Sequence, residues 1–222
     1  MKNILETPAR FNAIDINTWD RKTHYEHYLN NVRCTYSFTL NIDISSLAEK
    51  LKSRKLKTYP AQIYIISKAV NLFKEFKMAL DGEGGLGWWD IVNPSYTVFN
   101  KSTETFSCVF TPFDDDFAVF YDACAKDMEA YMDARTLFPQ RDMPKNLFAI
   151  SSLPWIDFTS FNLNADLNTP YFAPIFTIGR HFDQDGKKHM PLSVQVHHSV
   201  CDGFHAGKFV QTLREISMAF SC

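Results

Sequence analysis

Leu192-Ser193-Val194-Gln195-Val196-His197-His198-Ser199-Val200-Cys201-Asp202-Gly203 passes from one kind of pattern to another within a single stretch. Leu192 to Val196 alternate apolar and polar as a half-buried strand does, and the run beyond Gly203 has the apolar repeat of a helix. The two histidines therefore fall at a strand end. With a period of two, Leu192, Val194, Val196 and His198 point to one side, and Ser193, Gln195 and His197 to the other. His198 is the odd polar group on the apolar side. Burial there lowers an imidazole pKa and keeps the ring neutral, which suits a packed core histidine and a general base equally well. Asp202 and Gly203 are as ambiguous, since an acid before a helical run is an ordinary N-cap and a glycine an ordinary turn residue.

Working outward, the periodicity predicts a sheet with helices packed on it. After Tyr59-Pro60, the residues Ala61, Ile65, Ala69, Phe73 and Phe76 make an apolar stripe over Ala61 to Phe76, which is expected to be a long sheet-covering helix. Phe117 to Asp133 is expected to contain a second, and the terminal run a third with Phe209, Leu213 and Ile216 on its buried side. Arg33 to Leu40, Ser95 to Phe99, Glu104 to Phe110 and Pro174 to Ile178 have the composition or alternation of strands. Lys52-Ser53-Arg54-Lys55-Leu56 reads as a loop. Gly82-Glu83-Gly84-Gly85-Leu86-Gly87 lacks the Lys-Ser/Thr ending of a P-loop and the spacing of a dinucleotide fingerprint, so it is expected to be a turn before Trp88-Trp89.

With 222 residues and 45% hydrophobic side chains, the chain can bury a substantial core, and nothing in it reads as a linker; a single domain over 1–222 is expected. A formal charge of -2 without a sustained Lys/Arg tract argues against nucleic acid or an anionic membrane as partner. No segment approaches the roughly 18 uninterrupted apolar residues of a membrane span, and Met1 to Pro8 lack an apolar leader core, so a cytoplasmic protein is expected. Cys34, Cys108, Cys124, Cys201 and Cys222 lack the paired spacing of a zinc site and read as reduced thiols; no metal is expected. Cys201 adjoins Asp202 but reads as a small buried hydrophobe rather than a nucleophile.

The heptapeptide His197 to Gly203 resembles the HHxxxDG motif of the type A, non-hexapeptide chloramphenicol acetyltransferases. Trp19-Asp20-Arg21-Lys22 with His24-Tyr25-Glu26-His27-Tyr28 is similar to that family's N-terminal signature. Ile150-Ser151-Ser152-Leu153-Pro154-Trp155 and Phe161-Asn162-Leu163-Asn164 are similar to its central one. Tyr96-Thr97-Val98-Phe99, Thr105-Phe106-Ser107 and Leu137-Phe138-Pro139 add further blocks, in family order and across nearly the whole chain. The resemblance implies an α/β two-layer sandwich, a mixed sheet covered by helices, of the CoA-dependent acyltransferase fold. It also implies transfer of an acetyl group from acetyl-CoA to the 3-hydroxyl of chloramphenicol, and hence antibiotic resistance, through a tetrahedral intermediate.

By the same resemblance His198 is the general base and Ser151 the hydroxyl that faces the developing oxyanion, while Asp202 pairs with Arg21 as structural support for the loop. Tyr28, Cys34, Tyr36, Phe106, Phe138, Leu163 and Ile175 are implied to line the acceptor pocket, and Lys57, Tyr59, Trp155 and Arg180 the coenzyme channel. A homotrimer with active sites between subunits is implied as well. His27, Tyr36 and Cys108 depart from residues found in some members, which bears on acceptor preference. The alternatives are an acyltransferase for another hydroxyl or a dihydrolipoyl acceptor, and a catalytically silent relative that binds a hydrophobic ligand. The absence of a lipoyl domain and of a swinging-arm linker weighs against the dihydrolipoyl reading.

Overall fold

The computed structural model describes residues 9–164 and 169–220. Met1 to Pro8 and Cys222, read above as a leaderless start and a free thiol, lie outside the described residues. In chain order the elements are β1 (Phe11–Ala13), α1 (Lys22–Glu26), β2 (Thr35–Asp43), α2 (Ser45–Ser53), α3 (Thr58–Asn71), β3 (Met78–Leu80), β4 (Leu86–Trp89), β5 (Asn93–Asn100), β6 (Thr105–Phe110), α4 (Phe117–Tyr131), β7 (Leu147–Leu153), β8 (Ile175–Gly179), β9 (Phe182–Gln184), β10 (Lys187–His197) and α5 (Gly203–Ala219). The fold is mixed α/β. The main sheet runs β2-β10-β8-β7-β5-β6 with β9 beside β10, and a small sheet runs β1-β4-β3. Pairing is parallel between β5 and β7 and between β7 and β8, and antiparallel elsewhere.

Strand parity divides the main sheet into two unlike faces. One face presents Ile42, Met190, Leu192, Val194, Phe176, Ile150 and Tyr96, nearly all fully buried, and α3 and α5 supply Ile63, Ile66, Phe209 and Leu213 to the same core. At about 25 cal/mol per Å² of apolar surface removed from water, this layer is the main stabiliser of the fold. The other face carries Thr39, Ser193, Thr177 and Ser151 in register across four strands. The backbone at residues 161–163 lies over part of it. Ser193 Oγ donates to the Phe161 carbonyl at 2.7 Å, Phe161 N–H donates to Thr39 Oγ1 at 3.2 Å, and Leu163 N–H donates to Gln195 Oε1 at 3.3 Å.

The predicted helix over Ala61 to Phe76 begins earlier and ends sooner. Pro60 sits inside its first turn, where the backbone N–H has no intrahelical partner and proline's missing donor costs nothing. It stops at Asn71, whose side chain donates to the Val92 carbonyl at 2.9 Å and accepts from Val92 N–H at 2.8 Å, while Lys77 Nζ takes the Asn71 carbonyl at 2.9 Å. Phe76 belongs to a separate short turn, Lys74–Phe76. The run 52–56 is a loop only after Ser53, because α2 precedes it, anchored by Leu47 and Leu51 four residues apart. The glycine-rich run 82–87 is a turn that enters β4. Gly87 there is required by close approach: a Cβ would lie 2.4 Å from the Phe11 ring and 2.6 Å from the Asn12 carbonyl.

Candidate functional site

β10 ends at His197, one residue before His198, so His198 opens the turn beyond the strand instead of lying on its apolar face. Its position is still set by the sheet, because His198 N–H donates to the Cys34 carbonyl at 2.9 Å, just ahead of β2. Two rings then fix the imidazole: Tyr28 stacks on it at 3.9 Å with an interplanar angle of 6°, and Tyr36 meets it edge-on at 5.2 Å. His198 Nδ1 is buried 3.1 Å from Asp202 Oδ1 but not aligned for a hydrogen bond. His197 is buried against Phe172, and its Nδ1 accepts from Ser199 N–H at 3.2 Å, so its ring is spent on the turn.

Asp202 is the N-cap of α5, and Arg21 reaches it from just ahead of α1 across 181 residues of sequence. Arg21 Nη1 pairs with Asp202 Oδ2; Nη2 donates to Asp202 Oδ1 at 3.1 Å and to the Ser199 carbonyl at 3.2 Å. One guanidinium thus ties the carboxylate and the turn backbone together. Burial would raise the Asp202 pKa, but the hydrogen bond and charge of Arg21 outweigh it and hold the carboxyl below its ordinary value. A depressed carboxyl stabilises the fold above its unfolded value of 3.8 and loses that contribution as pH falls through its folded value. Arg21→Ala is therefore expected to cost about 2 kcal/mol in urea unfolding at neutral pH, with a difference from wild type that fades once the pH drops below the ordinary carboxylate range. A pH-independent difference would count against the ion pair as its source.

Cys201 lies fully buried beneath Tyr36, whose hydroxyl approaches its sulfur at 4.0 Å. Burial pushes the thiol up to about 12, so it stays protonated and inert as a nucleophile.

A cleft of about 540 Å³ opens between α3 and the ends of β5, β7 and β8, lined among others by Tyr59, Val98, Phe99, Met128, Trp155 and Arg180. Tyr59 Oη donates to the Thr97 carbonyl at 3.3 Å, and Trp155 meets Phe99 edge-on at 5.0 Å. Arg180 is already paired with Asp157 at 2.7 Å. Lys57 stands next to the wall residue Thr58 but is not part of the wall; its N–H donates to Tyr121 Oη at 2.6 Å. Gly179 is again a close approach, since a Cβ would lie 2.9 Å from the Phe158 ring; bare backbone lets the segment carrying Trp155 pack onto β8. The lining is mostly apolar, with the Arg180 guanidinium at one side.

Ser151 lies on the polar face of β7, opposite Thr177, which faces Ser193 on β10. His198 lies just past the end of β10, five residues on from Ser193 and two strands across from Ser151, which places the two backbones about 19 Å apart within one chain. The predicted site residues accordingly form three groups. His198, Asp202, Arg21, Tyr28, Cys34 and Tyr36 converge at one end of β10. Ser151 shares its sheet face with Phe106 and Ile175, and Leu163 joins them through Gln195; Phe138 stands beside β6, where Cys108 N–H donates to the Leu137 carbonyl at 2.7 Å. Phe106 and Phe138 are more than half exposed. Tyr59, Trp155 and Arg180 line the cleft.

Sequence reasoning missed Gln62 and His181, which meet side chain to side chain in the cleft wall. Gln62 had a signal: it is a polar residue within the apolar run Pro60 to Ile66, and it is almost fully buried. Among the described residues no three His, Cys, Asp or Glu side chains converge as a metal ion would require, and no helix is long and apolar enough to cross a membrane.

Comparison of the sequence with protein families and curated relatives points to one family. A profile of the chloramphenicol acetyltransferase family matches residues 9–214. The chain is 50% identical over 204 residues to a chloramphenicol acetyltransferase of Bacillus pumilus, covering 92% of each chain. It is 49% identical over 208 residues to one of Clostridium perfringens, covering 94% of this chain and 95% of that one. A solved structure described as a chloramphenicol acetyltransferase superposes with a TM-score of 0.84 over 93% of this chain and 99% of its own at 21% identity, which shows a shared fold.

Proposed function

The chain belongs to the chloramphenicol acetyltransferase family, and on that premise we propose that it transfers the acetyl group of acetyl-CoA to the 3-hydroxyl of chloramphenicol and so inactivates the antibiotic. The observation that carries this reading is the His198 imidazole, held between Tyr28 and Tyr36 above the Arg21–Asp202 pair. In its neutral form it takes the proton of the acceptor hydroxyl as that oxygen attacks the thioester carbonyl. The Ser151 hydroxyl donates to the oxyanion of the tetrahedral intermediate. Collapse breaks the carbon–sulfur bond, and the imidazolium returns its proton to the departing thiolate. Asp202 is a structural anchor and takes no proton.

The acetyl-CoA arm enters along the cleft past Tyr59 and Trp155, with Arg180 and Lys57 near its phosphates. Tyr28, Cys34, Tyr36, Phe106, Phe138, Leu163 and Ile175 contact the acceptor. Because His198 and Ser151 lie far apart in one chain, the working site takes them from two copies. The assembly is a homotrimer, whose cyclic symmetry gives every copy the same pair of neighbours. Each chain acts as one domain, a reading supported by the continuous core from Tyr25 to Phe220. The enzyme works in the cytoplasm, where reduced thiols such as Cys34 and Cys201 are stable.

The test is turnover. Incubated with acetyl-CoA and chloramphenicol, the protein is expected to release one free thiol per monoacetylated product found by mass. No acetylated drug from folded protein, with transfer to another alcohol or to dihydrolipoamide, would overturn the acceptor assignment. Saturable drug binding without thiol release would overturn catalysis.

A further inference from the structure

His205 sits in the first turn of α5, and its Nδ1 accepts the backbone N–H of Asp202 at 3.1 Å. A ring nitrogen that accepts carries no proton, so the neutral imidazole has its hydrogen on Nε2. That atom faces Glu75 Oε1 at 3.8 Å, on the turn Lys74–Phe76 that follows α3, and the two side chains are only 19% and 12% exposed. The peptide held this way belongs to the residue whose carboxylate meets Arg21 and stands beside His198 Nδ1. Between them Ser199, Val200 and Cys201 are fully buried, so the turn has no slack in which to absorb a shift.

We propose that Glu75 and His205 are a positioning pair behind the catalytic turn: Glu75 keeps the His205 proton on Nε2, and His205 thereby holds the Asp202 peptide and, through it, the imidazole of His198. The proposal rests on the reading of His198 as the base. Its chemical content is a conflict of donors. A second proton on His205 must go to Nδ1, where it points at the Asp202 N–H; two donors cannot share that contact, and the turn is released.

Four charged groups surround the ring: Glu75 after α3, Asp202 at the N-cap, Lys208 one turn along α5, and Arg21 ahead of α1. Burial is the largest influence and disfavours the imidazolium, Arg21 and Lys208 act the same way, and Glu75 and Asp202 oppose them; the net direction is downward. The ring is therefore neutral at neutral pH, and the hold on Asp202 is lost as pH falls through the His205 value.

The experiment compares wild type, H198A, H205A, H205N and E75Q for kcat, KM and the acid limb of log(kcat/KM), with thermal unfolding in parallel. H205A is expected to lose about tenfold in kcat with KM little changed, which is the scale of one hydrogen bond. In H205N the amide oxygen accepts the same N–H but cannot be protonated, so kcat returns to within about threefold of wild type. The acid limb should steepen toward a slope of two in wild type and keep a slope of one in H205N. In E75Q the second break moves to lower pH, because the carboxylate favouring the imidazolium is gone. A wild-type kcat and acid limb in H205A, or equal losses in H205N and H205A with no change of slope, overturn the proposal. If H205A does not fold, an unmoved acid limb in E75Q overturns it. H198A separates the two layers: retained turnover there sinks the base assignment, whereas an inactive H198A beside an ordinary H205A sinks the positioning pair alone.

Discussion

His198→Ala is expected to lower kcat for chloramphenicol acetylation by about 10⁴-fold, at the upper end of what a positioned general base contributes. The loss should fall on kcat rather than on KM, because the ring's role is to remove a proton as the carbon–oxygen bond forms, while the drug is held by side chains such as Tyr28 and Tyr36. The ring is partly exposed and stacks on Tyr28 at 3.9 Å, so its removal leaves a gap at an open turn instead of a void in the core. The unfolding temperature should therefore move little. Single-turnover thiol release measures the effect directly. Turnover within tenfold of wild type would place the base elsewhere.

The second large effect is a recovery. Ser151→Ala alone is expected to reduce kcat by roughly 100- to 1000-fold with acceptor affinity largely kept, since a lost oxyanion donor weakens only the transition state. Mixed with His198→Ala chains in equal amounts and allowed to reassemble, the two impaired proteins should regain about a quarter of wild-type activity. That fraction is the chance that a random interface joins an intact His198 to an intact Ser151. It requires the site to be shared between copies, the reading proposed above from the separation of about 19 Å within one chain. Absence of recovery in a confirmed mixed oligomer would overturn the shared site.

Much of the architecture could be read before any coordinates. β5, β6, α4 and α5 each carry a period of two or of three to four that follows the face they turn to the core, and β8 and β10 declare themselves by strand-forming composition or by the alternation of Leu192 to Val196. The elements missed lack that signature. β1, β3 and β9 are only three residues long, too short for a period to declare itself. α2 has Leu47 and Leu51 as its buried residues. The end of α3 was misread because Phe73 and Phe76 continue the helical stripe, whereas what stops the helix is the tie between Asn71 and Val92, 21 residues apart. No local window contains that contact.

The site divides along the same line. The order of residues around His198, the strand before it and the helix after it were determined by the local sequence, because alternation and capping are properties of neighbours in the chain. The family likeness named Arg21, but nothing within its own segment says that it crosses 181 positions to Asp202; only packing of the N-terminal turn against the end of β10 makes that pair. Gln62 and His181, and Glu75 and His205, became partners in the same way. The distance between Ser151 and His198 likewise follows from strand order, which no stretch of sequence encodes alone. What neighbours in the chain decide is each residue's local conformation; which distant polar groups share a buried volume is decided only when the sheet and its helices close on one another, since that closure removes the water that would otherwise satisfy them.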